Sequence, residues 1–468
     1  MPGGRRRGQR RQARGAEISA AYALGARPDT LLRPPCRGGD PHPVLASRRL
    51  AELPHPALAA LQARAAALRA AGRLLVDLSG SEPERIFAGA AAAALARAAG
   101  RPDAAQCVPA AGAPELRRAI VSWYLDRHGV RLDPETQVLP LAGARQGLFL
   151  APLACCDPGD VVLVPDPSSL AYRMGAYLAG TEVVALPLRA ELGHLPDLAA
   201  VPEGLARRAR LLFLNYPNNP TGAAAPPRLL AEAVAFARRR GLLLCHDFTH
   251  CASGYDGYRP PSALAAEGAP EAALEFISVS MALGLPGWRL GAAVGAAGPL
   301  AALRRVVTEA GAGASAPLQF AGAALLAEAQ RAGLLVARSE TLRVRRDLLT
   351  AALREAGAHV ARPRAAPYLW VACAGHSSAE YARWLLERTG VLVVPGADFG
   401  VGGEGFCRWS LLCATADIEE VAARLRALGP GGLRAAGDPP AEAGGPGLQG
   451  RAALAPDAPD ADALLGCL

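Results

Sequence analysis

Apolar residues run in short, nearly unbroken blocks through the middle of the chain. "DVVLVP" (160–165), "RLLFLNYP" (210–217), "GLLLCHDF" (241–248), "EFISVS" (275–280) and "RLGAAVG" (289–295) read as strands buried on both faces. Ala-rich stretches at helical spacing separate the earlier blocks, for example Pro227 to Arg240. This alternation predicts an α/β fold with a mainly parallel, helix-covered sheet. The last block follows its predecessor after a short loop and is expected to be an antiparallel partner. Leu45 to Arg73 reads as helix broken near Pro54 and Pro56, and residues 300–355 read as long helices. Over 366–428 the order "YLWVAC", helix, "VLVVPG", "FCRWSLL", helix predicts a smaller α+β domain. The expected division is an arm and helix over 41–80, a large domain over 81–300 and a small domain over 301–428. Residues 1–40 are Arg/Gly/Pro-rich and residues 429–468 Gly/Pro/Ala-rich. Neither has a period, so both are expected to be disordered tails.

Composition adds three constraints. The net charge is +8, but Arg5, Arg6, Arg7, Arg10, Arg11 and Arg14 all precede the first acid, Glu17. The remaining body is nearly neutral and shows no general nucleic-acid footprint. The arginine-rich start reads as a tail, with a nucleic-acid or targeting segment as the alternative. No apolar run is long enough to span a bilayer, and none of signal-peptide type follows the tail, so a cytoplasmic location without membrane contact is expected. The ten cysteines lack the paired spacing of structural zinc, so no metal is expected, and they read as reduced, mostly buried small hydrophobes. Finally, the chain contains no lysine: all fifty basic residues are arginine. Arginine keeps a surface charge but cannot replace an amine needed as a nucleophile.

Three strand ends carry polar residues where ligands of open α/β sheets sit. "NYPNNPTG" (215–222) is by itself only a turn signal. In "HDFTH", Asp247 ends an apolar strand, where a carboxylate needs a partner. "SVSMALGLPGWR" (278–289) offers hydroxyls and Arg289 to one anion.

Taken in this order, with "YDGYRPPS" (255–262) between the last two, these segments resemble the class I/II, fold-type I pyridoxal-phosphate aminotransferases, nearest the LL-diaminopimelate and aspartate/alanine-like branch. The resemblance covers about residues 45–428. It implies that Asn219 hydrogen-bonds the cofactor's ring oxygen and that Asp247 pairs with the protonated ring nitrogen, which makes the ring an electron sink. Ser278, Ser280 and Arg289 match the phosphate clamp. "GARQG" (143–147) matches the loop whose amides, at Ala144 and Arg145, meet the phosphate at a helix start. Arg408 matches the arginine that grips the substrate's α-carboxylate, its plain alternative being a surface or interface arginine. A homodimer is implied, since family sites form between subunits.

Five positions depart from the family pattern. Met281 stands where the cofactor-bearing lysine belongs, and the eight-residue step to Arg289 fixes that register. His250 replaces the tyrosine three residues after the aspartate. Ser169 replaces the aromatic residue that stacks on the ring, Cys107 the tyrosine that reaches across the dimer, and Ser81 a glycine. Ordinary transamination uses the lysine both to hold the cofactor and to move a proton, and the loss of a positioned general base alone costs about two to four orders of magnitude in rate. The expected function is therefore an aminotransferase-family protein acting on or binding an amino acid or 2-oxo acid, with ordinary transamination absent or very weak. Pyridoxal or pyridoxamine phosphate would be held without a covalent bond. Two alternatives stand beside this: a non-catalytic binding or scaffold protein, and a repurposed enzyme in which His250 acts as acid or base. The plainer reading of His250 is a hydrogen-bonding substitute for tyrosine.

Overall fold

The computed structural model of the protein describes residues 56–80, 85–311 and 313–433. The expectations for residues 1–40, for Ser81 and for the chain beyond Leu433 lie outside the described residues. Among the described residues twelve strands follow in chain order: β1 (Val76–Asp77), β2 (Val138–Leu141), β3 (Val161–Asp166), β4 (Glu182–Pro187), β5 (Ala209–Asn215), β6 (Leu243–Asp247), β7 (Ala273–Ile277), β8 (Gly291–Gly295), β9 (Tyr368–Ala372), β10 (Val391–Leu392), β11 (Val394–Pro395) and β12 (Phe406–Ser410). Seven of them form one sheet in the order β2-β8-β7-β6-β5-β3-β4. The β4-β3-β5-β6-β7 pairings are all parallel, and β8 runs antiparallel to both β7 and β2. This is an α/β fold with a mainly parallel, helix-covered sheet, and the last apolar block is the antiparallel partner the short loop predicts.

Alternate residues of the strands feed two separate cores. Leu163, Leu212 and Leu214 pack on one face, and Val162, Val164, Leu211 and Phe213 on the other. That double burial is why these strands read as continuous apolar runs rather than alternating ones. The hydrophobic pattern marks five of the seven strands. The two it does not mark, β2 and β4, are the sheet's edges. β2 is four residues long and includes Pro140, a residue tolerated at an edge because it has no amide to donate. β4 begins at the exposed Glu182, and its burial is partial.

A third core gathers residues from both ends of the chain. The antiparallel β11-β12-β9 sheet and the helices Leu334–Glu355, Ser378–Thr389 and Thr415–Ala427 supply most of it. Leu61 and Ala65 of the helix Ala57–Ala70 join them, and β1 pairs in parallel with β10. The helices Ala297–Glu309 and Ala316–Arg331 pack instead into the two cores of the large sheet. No single described helix is long and apolar enough to cross a membrane.

One close approach sets up the site. The helix Ala144–Cys155 lies so near the sheet that a Cβ on Gly147 would come within 2.6 Å of the Leu141 side chain and 2.7 Å of Phe276. Only glycine lets the helix start settle against β2, β7 and β8 at that depth.

Candidate functional site

The ends of β5, β6 and β7 are neighbours in register: Asn215 pairs with Asp247, and Asp247 with Phe276. Strand pairing therefore places the two polar blocks side by side. Asp247 is buried, and its carboxylate accepts from the Tyr172 hydroxyl and from the Thr249 amide at 3.0 Å. Burial pushes its pKa up, while the Thr249 and Tyr172 hydrogen bonds oppose the rise. Tyr172 is itself locked by stacking on Phe213, at 5.0 Å between ring centres.

Asn215 ties the neighbouring turn to this carboxylate. Its Nδ2 donates to the Asp247 carbonyl at 2.9 Å, and its Oδ1 accepts from the Asn219 amide at 2.7 Å. Asn218 is used up inside the turn, where its Oδ1 accepts from the Thr221 amide and hydroxyl. Asn219 is left facing outward from the turn, and its Oδ1 accepts from Arg408 Nη1 at 2.9 Å. Arg408 Nη2 donates to the Ser79 carbonyl at 2.8 Å, and the guanidinium lies over Tyr368 and Phe399, 4.4 and 5.0 Å from their ring centres. Its Nε is buried without a partner, and burial lowers its pKa. Arg408 is thus no surface arginine: it is held flat, oriented and partly desolvated beside Asn219.

At the other side of the Asp247 strand end, Ser278 caps the short helix Val279–Ala282 by accepting from the Met281 amide at 3.1 Å. Ser280 Oγ accepts from the Leu290 amide at 2.8 Å, which leaves its proton free to be offered. Arg289 is exposed and adopts φ +50°. Its Nη2 lies 3.0 Å from where a Cβ on Gly143 would stand. Gly143, at φ +83°, precedes the helix Ala144–Cys155, whose start no side chain caps. Ala144 is buried there, and Arg145 is exposed. A guanidinium over an uncapped helix start is a combination that favours an anion.

The altered positions have distinct surroundings. Met281 is half-buried and packs against the C-terminal core. Ser169 caps the helix Leu170–Leu178, and Cys107 is exposed. His250 is buried with its ring edge-on to Tyr368 at 5.2 Å, and its Nδ1 has no partner. Burial, with Arg338 and Arg408 nearby, pushes its pKa down to about 3. A lowered pKa favours the neutral ring, which can donate or accept one hydrogen bond at each nitrogen according to its tautomer. Tyr172 and Asn215 are site residues that sequence reasoning does not single out. Tyr172 stands three residues after Ser169, in the first turn of a helix, which is the signal that could have found it.

The family model "Aminotransferase class I and II" matches residues 76–425. A curated LL-diaminopimelate aminotransferase from Desulforudis audaxviator is 44% identical over 317 residues, 68% of this chain and 80% of that protein. One from Moorella thermoacetica is 39% identical over 381 residues, 81% of this chain and 97% of that protein. Among solved structures, substrate-bound BacF from Bacillus subtilis superposes with a TM-score of 0.78 at 29% identity, covering 83% of this chain and 98% of its own. The protein belongs to the class I and II aminotransferases, a pyridoxal-phosphate family of fold type I.

Asp247→Asn is expected to raise the stability of the cofactor-free protein by about 1 kcal/mol at neutral pH, because it removes a buried charge while its Oδ1 still accepts from the Thr249 amide and its Nδ2 can donate to the Tyr172 hydroxyl oxygen, whose proton rotates away. Urea unfolding of both proteins in the absence of cofactor checks this, and a destabilised variant would count against it.

Proposed function

We propose that this protein is a lysine-free aminotransferase homologue that binds pyridoxal or pyridoxamine phosphate without a covalent bond and carries out ordinary transamination weakly or not at all. One observation carries the reading: the chain contains no lysine, and the residue that the family resemblance puts in place of the cofactor-bearing lysine is Met281, packed against the C-terminal core. The surrounding residues still fit the group. The unpartnered, buried Nδ1 of His250 and the uncapped helix start at Gly143 beneath the Arg289 guanidinium are the groups it would engage.

Asp247 would meet the protonated ring nitrogen, with Tyr172 and Thr249 fixing the carboxylate's orientation. Asn219 and neutral His250 would contact the ring oxygen. Ser278, the proton of Ser280, Arg289 and the amides of Ala144 and Arg145 would hold the phosphate. When bound, the group supplies an electron sink for bonds at the substrate's α-carbon. Arg408, oriented by Asn219 and the Tyr368 ring, would clamp the carboxylate of an amino acid or 2-oxo acid. The relatives' names make LL-diaminopimelate the first amino acid to try. A second copy of the chain is the expected partner, and the cytoplasm the expected location.

A titration with pyridoxal phosphate and, separately, pyridoxamine phosphate tests this, followed by absorbance and melting temperature and then by borohydride trapping. Saturable binding that raises the melting temperature with no reducible adduct supports the reading. A stable adduct at an internal amine overturns it. Binding of neither favours the scaffold reading, to which the loss of aromatic rings at Ser169 and Cys107 also points. Arg408→Ala should weaken binding of a carboxylate ligand to the cofactor-loaded protein at least tenfold, the scale of a lost charge-assisted pair. Calorimetric titration of the two proteins reads that ratio.

A further inference from the structure

On the opposite face of β6 from Asp247 lies a polar cluster with no part in the site described above. His246 and Glu275 are both fully buried. His246 Nδ1 is 2.8 Å from Glu275 Oε1, and its Nε2 is 3.0 Å from the Tyr216 carbonyl oxygen. Glu275 also accepts from the Ala263 amide at 2.6 Å, the Ser262 hydroxyl at 2.7 Å and the Tyr124 hydroxyl at 2.9 Å. His128 and the Cys251 thiol are the other titratable groups around this carboxylate, and the His246 ring stacks on Phe248.

Counting donors and acceptors restricts the protonation state. A carbonyl oxygen only accepts, so Nε2 must carry a proton. A carboxylate that already takes three donors is stabilised in its charged form, so Nδ1 must carry one too. The remaining arrangement, a protonated Glu275 donating to a neutral ring, would turn a pocket of three donors toward an uncharged acid.

We propose that His246 and Glu275 form an imidazolium–carboxylate pair, and that His246 is a positioning residue for the site on the other face of the sheet. Its Nε2–H anchors the Tyr216 carbonyl at the start of the turn that ends in Asn219. Through that turn it fixes Asn219 against Arg408. The imidazolium also places a fixed positive charge one residue from Asp247, which favours that group's ionised form.

Nitrogen NMR of the full-length, histidine-labelled protein tests the ionisation directly. The chain holds eight histidines, and His246→Asn assigns the resonance. One ring protonated at both nitrogens at neutral pH is expected. In Glu275→Gln the same ring should become a neutral tautomer. A neutral His246 ring in the wild type at neutral pH overturns the proposal. The wild-type spectrum carries this answer even if a variant fails to fold, since contacts to Phe248 also assign the ring. The positioning role rests on the cofactor reading above and is read separately. Pyridoxamine phosphate should bind Glu275→Gln or His246→Gln about tenfold more weakly than wild type, and unchanged affinity in a folded variant overturns that role. If the wild type binds no pyridoxamine phosphate, the cofactor reading and the positioning role fall together, while the ion pair stands or falls on its spectrum.

Discussion

Met281→Lys is expected to form a covalent adduct with pyridoxal phosphate that borohydride reduces, where the wild type forms none. The backbone at this position is already set: the Ser278 hydroxyl accepts from the Met281 amide and starts the helix Val279–Ala282. Lysine and methionine are both unbranched, so the new side chain can follow the path of the old one without a change of backbone. The cost is the apolar contact Met281 makes with the C-terminal core, about 1 kcal/mol for a half-buried side chain. Partial burial lowers the pKa of a lysine amine, which favours the nucleophilic form. Restoring a positioned base should raise transamination by about a hundredfold or more over the wild type. Ser169 and Cys107 would keep the variant below a family enzyme, since the ring-stacking and cross-dimer contacts remain absent. Mass spectrometry after reduction, alongside a coupled assay, checks both parts. A folded variant that binds pyridoxal phosphate yet forms no adduct would show that residue 281 does not face the cofactor.

The second large effect is a loss of stability in mild acid. His250 has a folded pKa of about 3, well below the ordinary value near 6.5, because charging it would place an imidazolium in a buried site beside two guanidiniums. The unfolded chain therefore binds a proton that the folded chain refuses. Stability contributed by the neutral ring is complete above the unfolded value and is lost as the pH falls toward the folded one. At about pH 4.5 the loss from His250 alone is on the order of 2–3 kcal/mol. His128, pushed down to about 4 by burial, adds to it in the same window. The raised pKa of Asp247 works in the opposite direction, since the folded form gains a proton there as the pH falls. His250→Tyr should show a shallower decline than wild type between neutral and mildly acid pH in urea unfolding. Parallel declines would mean that the His250 ring is already solvated or paired.

Part of this site is visible in the sequence because some of its residues end elements that the hydrophobic pattern marks: Asp247 closes an apolar run, and Ser278 follows one directly. The absence of lysine needs no structure at all. The edge strands β2 and β4 escape the pattern because they are short or half-exposed, so their periodicity is weak.

The sequence alone determined the family, the parallel sheet, the strand-end positions of the polar groups and the absence of any lysine. All of these follow from local runs of residue types and their spacing. Only the tertiary structure decided which polar groups meet. Arg408 reaches Asn219 across 189 residues, and Tyr172 reaches Asp247 across 75. Such contacts depend on strand order and register, and on a helix seated at the depth Gly147 allows, which no local pattern encodes. The surroundings of the buried histidines were also decided there: burial beside Arg338 and Arg408 pushes the His250 pKa down, and each His246 ring nitrogen faces an acceptor oxygen, because burial and hydrogen-bond geometry both come from the packed fold.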